Sequence, residues 1–158
     1  MEYQTGAAGR IFYARLDDGE DVHQCLTELV RREQVRCGTF QVFGGLKSAG
    51  VVTGPKEPVM PPEPVWKNVE DAREILGIGS VFREGDTPRI HLHAAMGHHG
   101  ETLTGCLRKD SRVYLIIELL LMEVTGIDVT RPWWPAGGFN RPTFQKTENS
   151  GQMTEGKP

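Results

Sequence analysis

The stretch PRIHLHAAMGHHGETLTGCL, residues 88–107, predicts a β-hairpin that carries four of the five histidines and one of the three cysteines of this protein. Residues 88–96 and 101–108 alternate in the manner of half-buried strands, and a Gly-His-His-Gly segment separates them. Because successive side chains of a strand point to opposite faces, His91 and His93 are expected to share one face.

A turn centred in the Gly-His-His-Gly segment would place Thr104 opposite His93 and Cys106 opposite His91, all on the same face. Two imidazoles and a thiol within reach of one point are a ligand set that zinc prefers, and the soft thiolate favours zinc over magnesium or calcium. Three protein ligands would leave one coordination position open. The alternative is that the His-x-His pair lines a pocket or forms hydrogen bonds without a metal.

The remaining patterns predict an α+β fold, with a mainly antiparallel sheet and one principal helix packed on it. The helix is expected within residues 17–34, with Asp17 or Asp18 as its cap. His23 lies off its apolar face and is expected to be solvated. That face has helical spacing and consists of Val22, Cys25, Leu26, Leu29 and Val30.

Further strands are expected at residues 9–16, 37–54, 70–85 and 111–126. The pair Gly44-Gly45 predicts a break, bulge or close backbone approach within the second of these. Residues 55–66 contain five prolines and predict a loop or an extended arm.

Three segments with different composition divide the chain. Residues 1–130 are expected to form a single domain, and residues 131–145 an aromatic and proline-rich arm. Trp133 and Trp134 are expected to pack this arm onto its own domain or onto a neighbouring subunit. Residues 146–158 are polar and are expected to be disordered.

Charge, cysteine content and hydropathy argue against several classes of protein. The 158 residues carry a formal net charge of -3, whereas a domain that binds nucleic acid through its own surface is usually basic. Three cysteines without a regular framework favour a reducing, cytoplasmic location over a disulfide-stabilised secreted protein. No apolar run reaches the roughly 18 residues that a membrane-spanning helix needs, so no membrane partner is expected.

Several motifs in order resemble the plants and prokaryotes conserved domain, called the PPC or PCC domain. They are RLDDGEDVHQCLTELVRRE, GTFQVFGGLKSAGV, EILGIGSV, HLHAAMGHHGETLTGCL and the last apolar strand, and they cover about residues 9–126. The resemblance implies an antiparallel sheet with one packed helix and a homotrimer. It also implies a metal site formed by a His-x-His pair, here His91 and His93, and a third histidine, replaced here by Cys106.

Plant members of that family bind DNA and carry AT-hooks with a Gly-Arg-Pro core, which is absent from this sequence. Direct DNA binding is therefore implied by the family label alone.

Two functions are consistent with these residues. The first is a homotrimeric binding or regulatory module with a metal that is structural or faces a small ligand. The second is a metal-dependent enzyme in which the open position activates water, with Glu101 or Glu118 as the base and Thr104 in the pocket. Gly85, His91 and His93 have the spacing that begins the cupin metal motif, although the glutamate of that motif is absent. The absence of a complete catalytic motif favours the module.

Overall fold

One helix and twelve strands form the part of the chain that the structure, a computed structural model, describes, namely residues 1–145 and 150–152. The helix is α1 (Val22–Arg32). The strands are β1 (Glu2–Gln4), β2 (Ala7–Asp17), β3 (Gly38–Pro55), β4 (Pro64–Val69), β5 (Arg73–Glu84), β6 (Thr87–His98), β7 (Glu101–Thr125), β8 (Val129–Thr130), β9 (Trp133–Trp134), β10 (Phe139–Asn140), β11 (Thr143–Phe144) and β12 (Ser150–Gln152). The predicted α+β fold with a mainly antiparallel sheet and one principal helix is confirmed.

The long strands β3 and β7 close the central sheet on itself. β3 pairs with β5, β5 with β6, and β6 with the first part of β7, which returns to the second part of β3. All of these pairings are antiparallel, and β2 adds to the second half of β7. Apolar side chains from every strand of the ring fill the core, among them Phe40, Leu92, Leu107 and Leu119, each at most 1% exposed.

The helix begins later than the sequence predicted. Its N-cap is Asp21, whose Oδ1 accepts a hydrogen bond from the Gln24 N–H at 3.0 Å, and not Asp17 or Asp18. Asp17 ends β2. The Asp18 carboxylate instead accepts a hydrogen bond from Lys47 Nζ at 2.8 Å and does not cap the helix.

The helix packs against β6 and β7, and its apolar face is the predicted one. Val22, Leu26 and Val30 are buried, while Cys25 and Leu29 pack against the core and are partly buried. The prediction that His23 is solvated is wrong, since its side chain is partly buried. Its Nδ1 is buried without a hydrogen-bond partner in the described structure, because the packed helix turns this side chain towards the sheet.

Gly44 and Gly45 mark a close backbone approach, as predicted, although the strand continues through them. Gly44 has a φ of 133°, and a Cβ added there would lie 2.3 Å from the carbonyl oxygen of Ile116. The β3–β7 register shifts at this point. A glycine is required here because any side chain would strike the neighbouring strand.

Two other segments differ from the expectation. Residues 64–69, partly inside the predicted proline-rich loop, form β4 along β3. The strands predicted at 101–108 and 111–126 are one strand, β7, which bends at Asp110 and Leu115, where φ is positive. Propensity alone did not show this continuity, since the pairing with β3 maintains the strand through these irregular positions.

Of the C-terminal tail predicted to be disordered, residues 150–152 pair with β1, and the others lie outside the described residues. No helix among the described residues is both long and apolar enough to cross a membrane.

Candidate functional site

A two-residue turn sets the register of the histidine hairpin. His99 and Gly100 have φ values of 47° and 88°, the positive values that a tight hairpin turn of type I′ requires. His98 therefore pairs with Glu101, and His93 pairs with Cys106. The predicted pairing of His91 with Cys106 is wrong, because the register is shifted by two residues. A shift of two residues keeps every side chain on its predicted face.

His91, His93 and Cys106 lie together, as the strand alternation predicted. The Nε2 atoms of the two histidines are 3.0 Å apart, and the potential ligand atoms of all three residues lie within 4.8 Å of one another. Tetrahedral zinc with bonds of about 2.0–2.3 Å holds its ligand atoms roughly 3.3–3.7 Å apart. The donor set and its spacing fit such an ion after small side-chain rotations.

Burial, assisted by nearby charges, keeps His91 in the neutral form that a metal requires. Burial lowers the pKa of His91 to about 4, assisted by the cations Arg131 and Arg108, so its imidazole is neutral at physiological pH. Burial raises the pKa of Cys106, which is 3% exposed, while Arg108 opposes the rise. A bound metal would displace the thiol proton, because coordinated thiols are deprotonated.

Thr104 lies beside the cluster, whereas neither predicted base does. Thr104 lines a cavity of about 440 Å³ together with His93 and Cys106. Glu101 is at the turn, five residues along the strand from Cys106, which corresponds to about 16 Å and to the opposite face. Glu118 accepts a hydrogen bond from the Tyr13 hydroxyl and pairs with Phe43, on the far side of the ring.

A second cavity of about 500 Å³ adjoins the first, and it is called the arginine cavity below. His91, Arg89, Arg108 and Arg131 contribute to its wall, as does His23 from α1. The two cavities share Arg108 among their lining residues, and each is lined by part of the cluster: His91 in this cavity, and His93 and Cys106 in the other.

Three residues at the site were not predicted from the sequence: Arg108, Arg131 and His23. Arg108 follows Cys106 by two positions on the same strand, so the alternation that placed Cys106 also places Arg108 on this face. No local signal identifies Arg131, since long-range pairing brings it to the site.

The C-terminal arm delivers Arg131 and packs on its own domain, one of the two predicted arrangements. The Arg131 N–H donates to the Arg83 carbonyl at 2.8 Å, and its Nη2 donates to Ser80 Oγ at 2.9 Å. Farther along the arm, the rings of Trp134 and Phe139 meet edge to face, with centroids 5.3 Å apart. Trp133 lines the arginine cavity and is 55% exposed.

Solved structures with the same fold come from several prokaryotes. A metal-containing protein from Archaeoglobus fulgidus superposes with a TM-score of 0.78 at 22% identity, covering 92% of this chain and 100% of that one. A plant- and prokaryote-conserved protein from Pyrococcus horikoshii gives 0.72 at 20% identity, covering 91% and 96%. A candidate DNA-binding protein from Ralstonia eutropha gives 0.70 at 19% identity, covering 84% and 90%. At these identities the likeness shows the fold.

A comparison with curated proteins finds no match. The model of the Plants and Prokaryotes Conserved (PCC) domain matches residues 3–125, which is most of the chain. This chain therefore belongs to the PCC domain family.

Proposed function

We propose that this protein is a homotrimeric binding or regulatory module in which His91, His93 and Cys106 hold a zinc ion that faces a ligand. The observation that carries the proposal is the convergence of three potential ligand atoms within 4.8 Å of one another, on two neighbouring strands. The protein of the same fold from Archaeoglobus fulgidus, described as metal-containing, supports it. The thiol makes zinc the favoured ion.

The surroundings of the cluster favour binding over catalysis. Zinc with three protein ligands would offer its open position as a Lewis acid to a ligand or to water. A hydrolytic enzyme also needs a base near that position. Neither Glu101 nor Glu118 is near it, and no carboxylate of the described residues lines either cavity. The cluster and its cavities therefore serve a module better than the alternative metal-dependent enzyme.

Exposed apolar side chains on the outside of the sheet support the homotrimer. Leu76 and Ile78 are 70% and 61% exposed on one face of β5, and Leu76 pairs with Phe43, which is 43% exposed. Large exposed apolar groups side by side are typical of protein–protein interfaces. In the proposed homotrimer, this face forms the contact between subunits.

Direct DNA binding is not part of the proposal. Two relatives of the same fold, from Ralstonia eutropha and Bacteroides thetaiotaomicron, are described as candidate DNA-binding proteins. The net charge of -3 opposes attraction to a phosphate backbone. A cytoplasmic location is included in the proposal, because all three cysteines are free, as they are where thiols remain reduced.

Elemental analysis of the purified protein tests the metal site. We expect about one zinc per chain, and its loss in His91→Ala, His93→Ala and Cys106→Ala. Two matched controls, His99→Asn at the hairpin turn and Cys25→Ala on the helix, should retain the metal. A parent protein that holds no zinc after incubation with the ion, or variants that hold as much as the parent, would contradict the proposal.

A further inference from the structure

The arginine cavity has an excess of positive charge in its wall. Its described lining includes Arg89, Arg108 and Arg131, and it contains no aspartate or glutamate. Arg89 forms an ion pair with Glu84. Arg108 and Arg131 have no ion pair with any carboxylate of the described chain. Two cations thus face one space without a counter-charge.

Arg131 is the more unusual of the two because it is buried. It is 4% exposed, yet its partners are neutral: the Ser80 hydroxyl, and the ring of Phe82 at 5.0 Å from the guanidinium carbon. Its Nε is buried and has no acceptor among the described residues. Burying a charge without an opposite charge is costly, so buried arginines are normally paired. The neighbouring Arg108 adds to this cost, since the two cations repel each other.

We propose that the arginine cavity binds a small organic anion whose carboxylate or phosphate oxygens are held by Arg131 and Arg108. A planar guanidinium matches either group with paired N–H donors. The anion would supply the counter-charge that Arg131 lacks and would lie beside His91. The inference deepens the proposed function by naming its ligand class, and it rests on that function only in placing the ligand next to the zinc.

The rest of the wall indicates what the anionic group is attached to. Trp66, Trp133 and Phe139 line the cavity, and these residues are 48%, 55% and 37% exposed. Such rings favour a flat, apolar group by stacking. His23 lines the cavity from the helix side, and its Nδ1 is buried without a hydrogen-bond partner among the described residues. A volume of about 500 Å³ is within the range of small-ligand pockets, roughly 300–1,000 Å³.

Calorimetric titration with phenyl phosphate and with benzoate tests the inference, and benzamide serves as the neutral control with the same ring. The protein is used zinc-loaded, and again after chelation and dialysis. We expect saturable binding of at least one anion and none of benzamide. Arg108→Gln, at an exposed position, should weaken binding at least tenfold, and Arg131→Gln should do the same. Arg31→Gln, an exposed arginine at the end of α1, is the matched control and should not change it.

The outcomes separate this inference from the zinc site. Binding that depends on the arginines in both zinc-loaded and metal-free protein supports the anion site, even if the zinc proposal fails. A preference for phenyl phosphate or for benzoate identifies a phosphate or a carboxylate as the anionic group. No saturable binding of either anion, equal binding of benzamide, or binding that Arg108→Gln leaves within twofold of the parent overturns it. Zinc-dependent binding unaffected by both arginine variants also overturns it and leaves the metal proposal intact.

Discussion

Zinc should stabilise this protein through Cys106, and the size of the effect follows from the place of the thiol. His93 and Cys106 face each other across β6 and β7, so an ion bound to both links two strands of the closed ring. A ligand that binds only the folded state at a free concentration 100 times its Kd stabilises it by about 2.7 kcal/mol. For a domain of this size, that corresponds to a rise in Tm of roughly 5–11 °C.

The Cys106→Ala variant should lose this stabilisation and little else. Cys106 is 3% exposed, so removal of one buried heavy atom should cost about 0.5–1.5 kcal/mol without metal. With zinc, the difference in the free energy of unfolding between parent and variant should grow to about 3–4 kcal/mol.

The assay is thermal unfolding of both proteins at one protein concentration, with zinc and after chelation. His99→Asn is the control, since asparagine tolerates the positive φ of the turn and should leave the zinc effect unchanged. An equal rise in Tm for parent and Cys106→Ala would show that the thiol is not a ligand. The absence of any rise in the parent would refute the zinc site itself.

Three other perturbations test the fold and its surfaces. Gly44→Ala places a methyl group 2.3 Å from the Ile116 carbonyl oxygen at a φ of 133°. We therefore expect urea unfolding to show a free energy of unfolding lowered by more than about 3 kcal/mol. A decrease of less than about 1 kcal/mol would contradict the close approach. Burial lowers the pKa of His23, so the unfolded state takes up its proton first and stability should fall as the pH drops below about 6.5. In metal-free protein, His23→Gln should reduce the fall between pH 7.5 and 5.5, and an identical pH dependence in parent and variant would argue against a buried neutral imidazole. Ile78→Asp, at a 61% exposed position, should convert a trimer into monomers by light scattering, with Arg31→Asp on α1 as the exposed control, and a trimer that persists would exclude this face as the interface.

Most of the candidate metal site could be predicted because residues separated by an even number of positions lie on the same face of a strand. Alternation along a strand places His91 and His93 on one face whatever the rest of the fold does. A hairpin loop of two or four residues keeps Cys106 on that face, so the wrong turn still led to the right cluster. The actual partner of Cys106 depended on the φ values of His99 and Gly100, which the Gly-His-His-Gly pattern does not specify.

The start of the helix shows where local signals compete. Asp17, Asp18 and Asp21 are all good N-cap residues by type. Contacts with other strands occupy two of them: Asp17 ends β2, and Asp18 binds Lys47 and the Leu115 N–H. The predicted apolar face was correct because helical spacing is a property of the segment itself.

The sequence by itself determined the helix, most of the long strands and the side chains that share a face, because the periods of strands and helices are local properties of the backbone. It also determined the family, since the order of the motifs is preserved along the chain. Only the tertiary structure decided which distant residues meet at the site. Arg131 reaches it through a backbone hydrogen bond to Arg83, and His23 reaches it because α1 packs on β6 and β7. These contacts join residues that are far apart in the chain. They form because the sheet closes on itself and buries its core, and neither event can be seen in a local stretch of sequence.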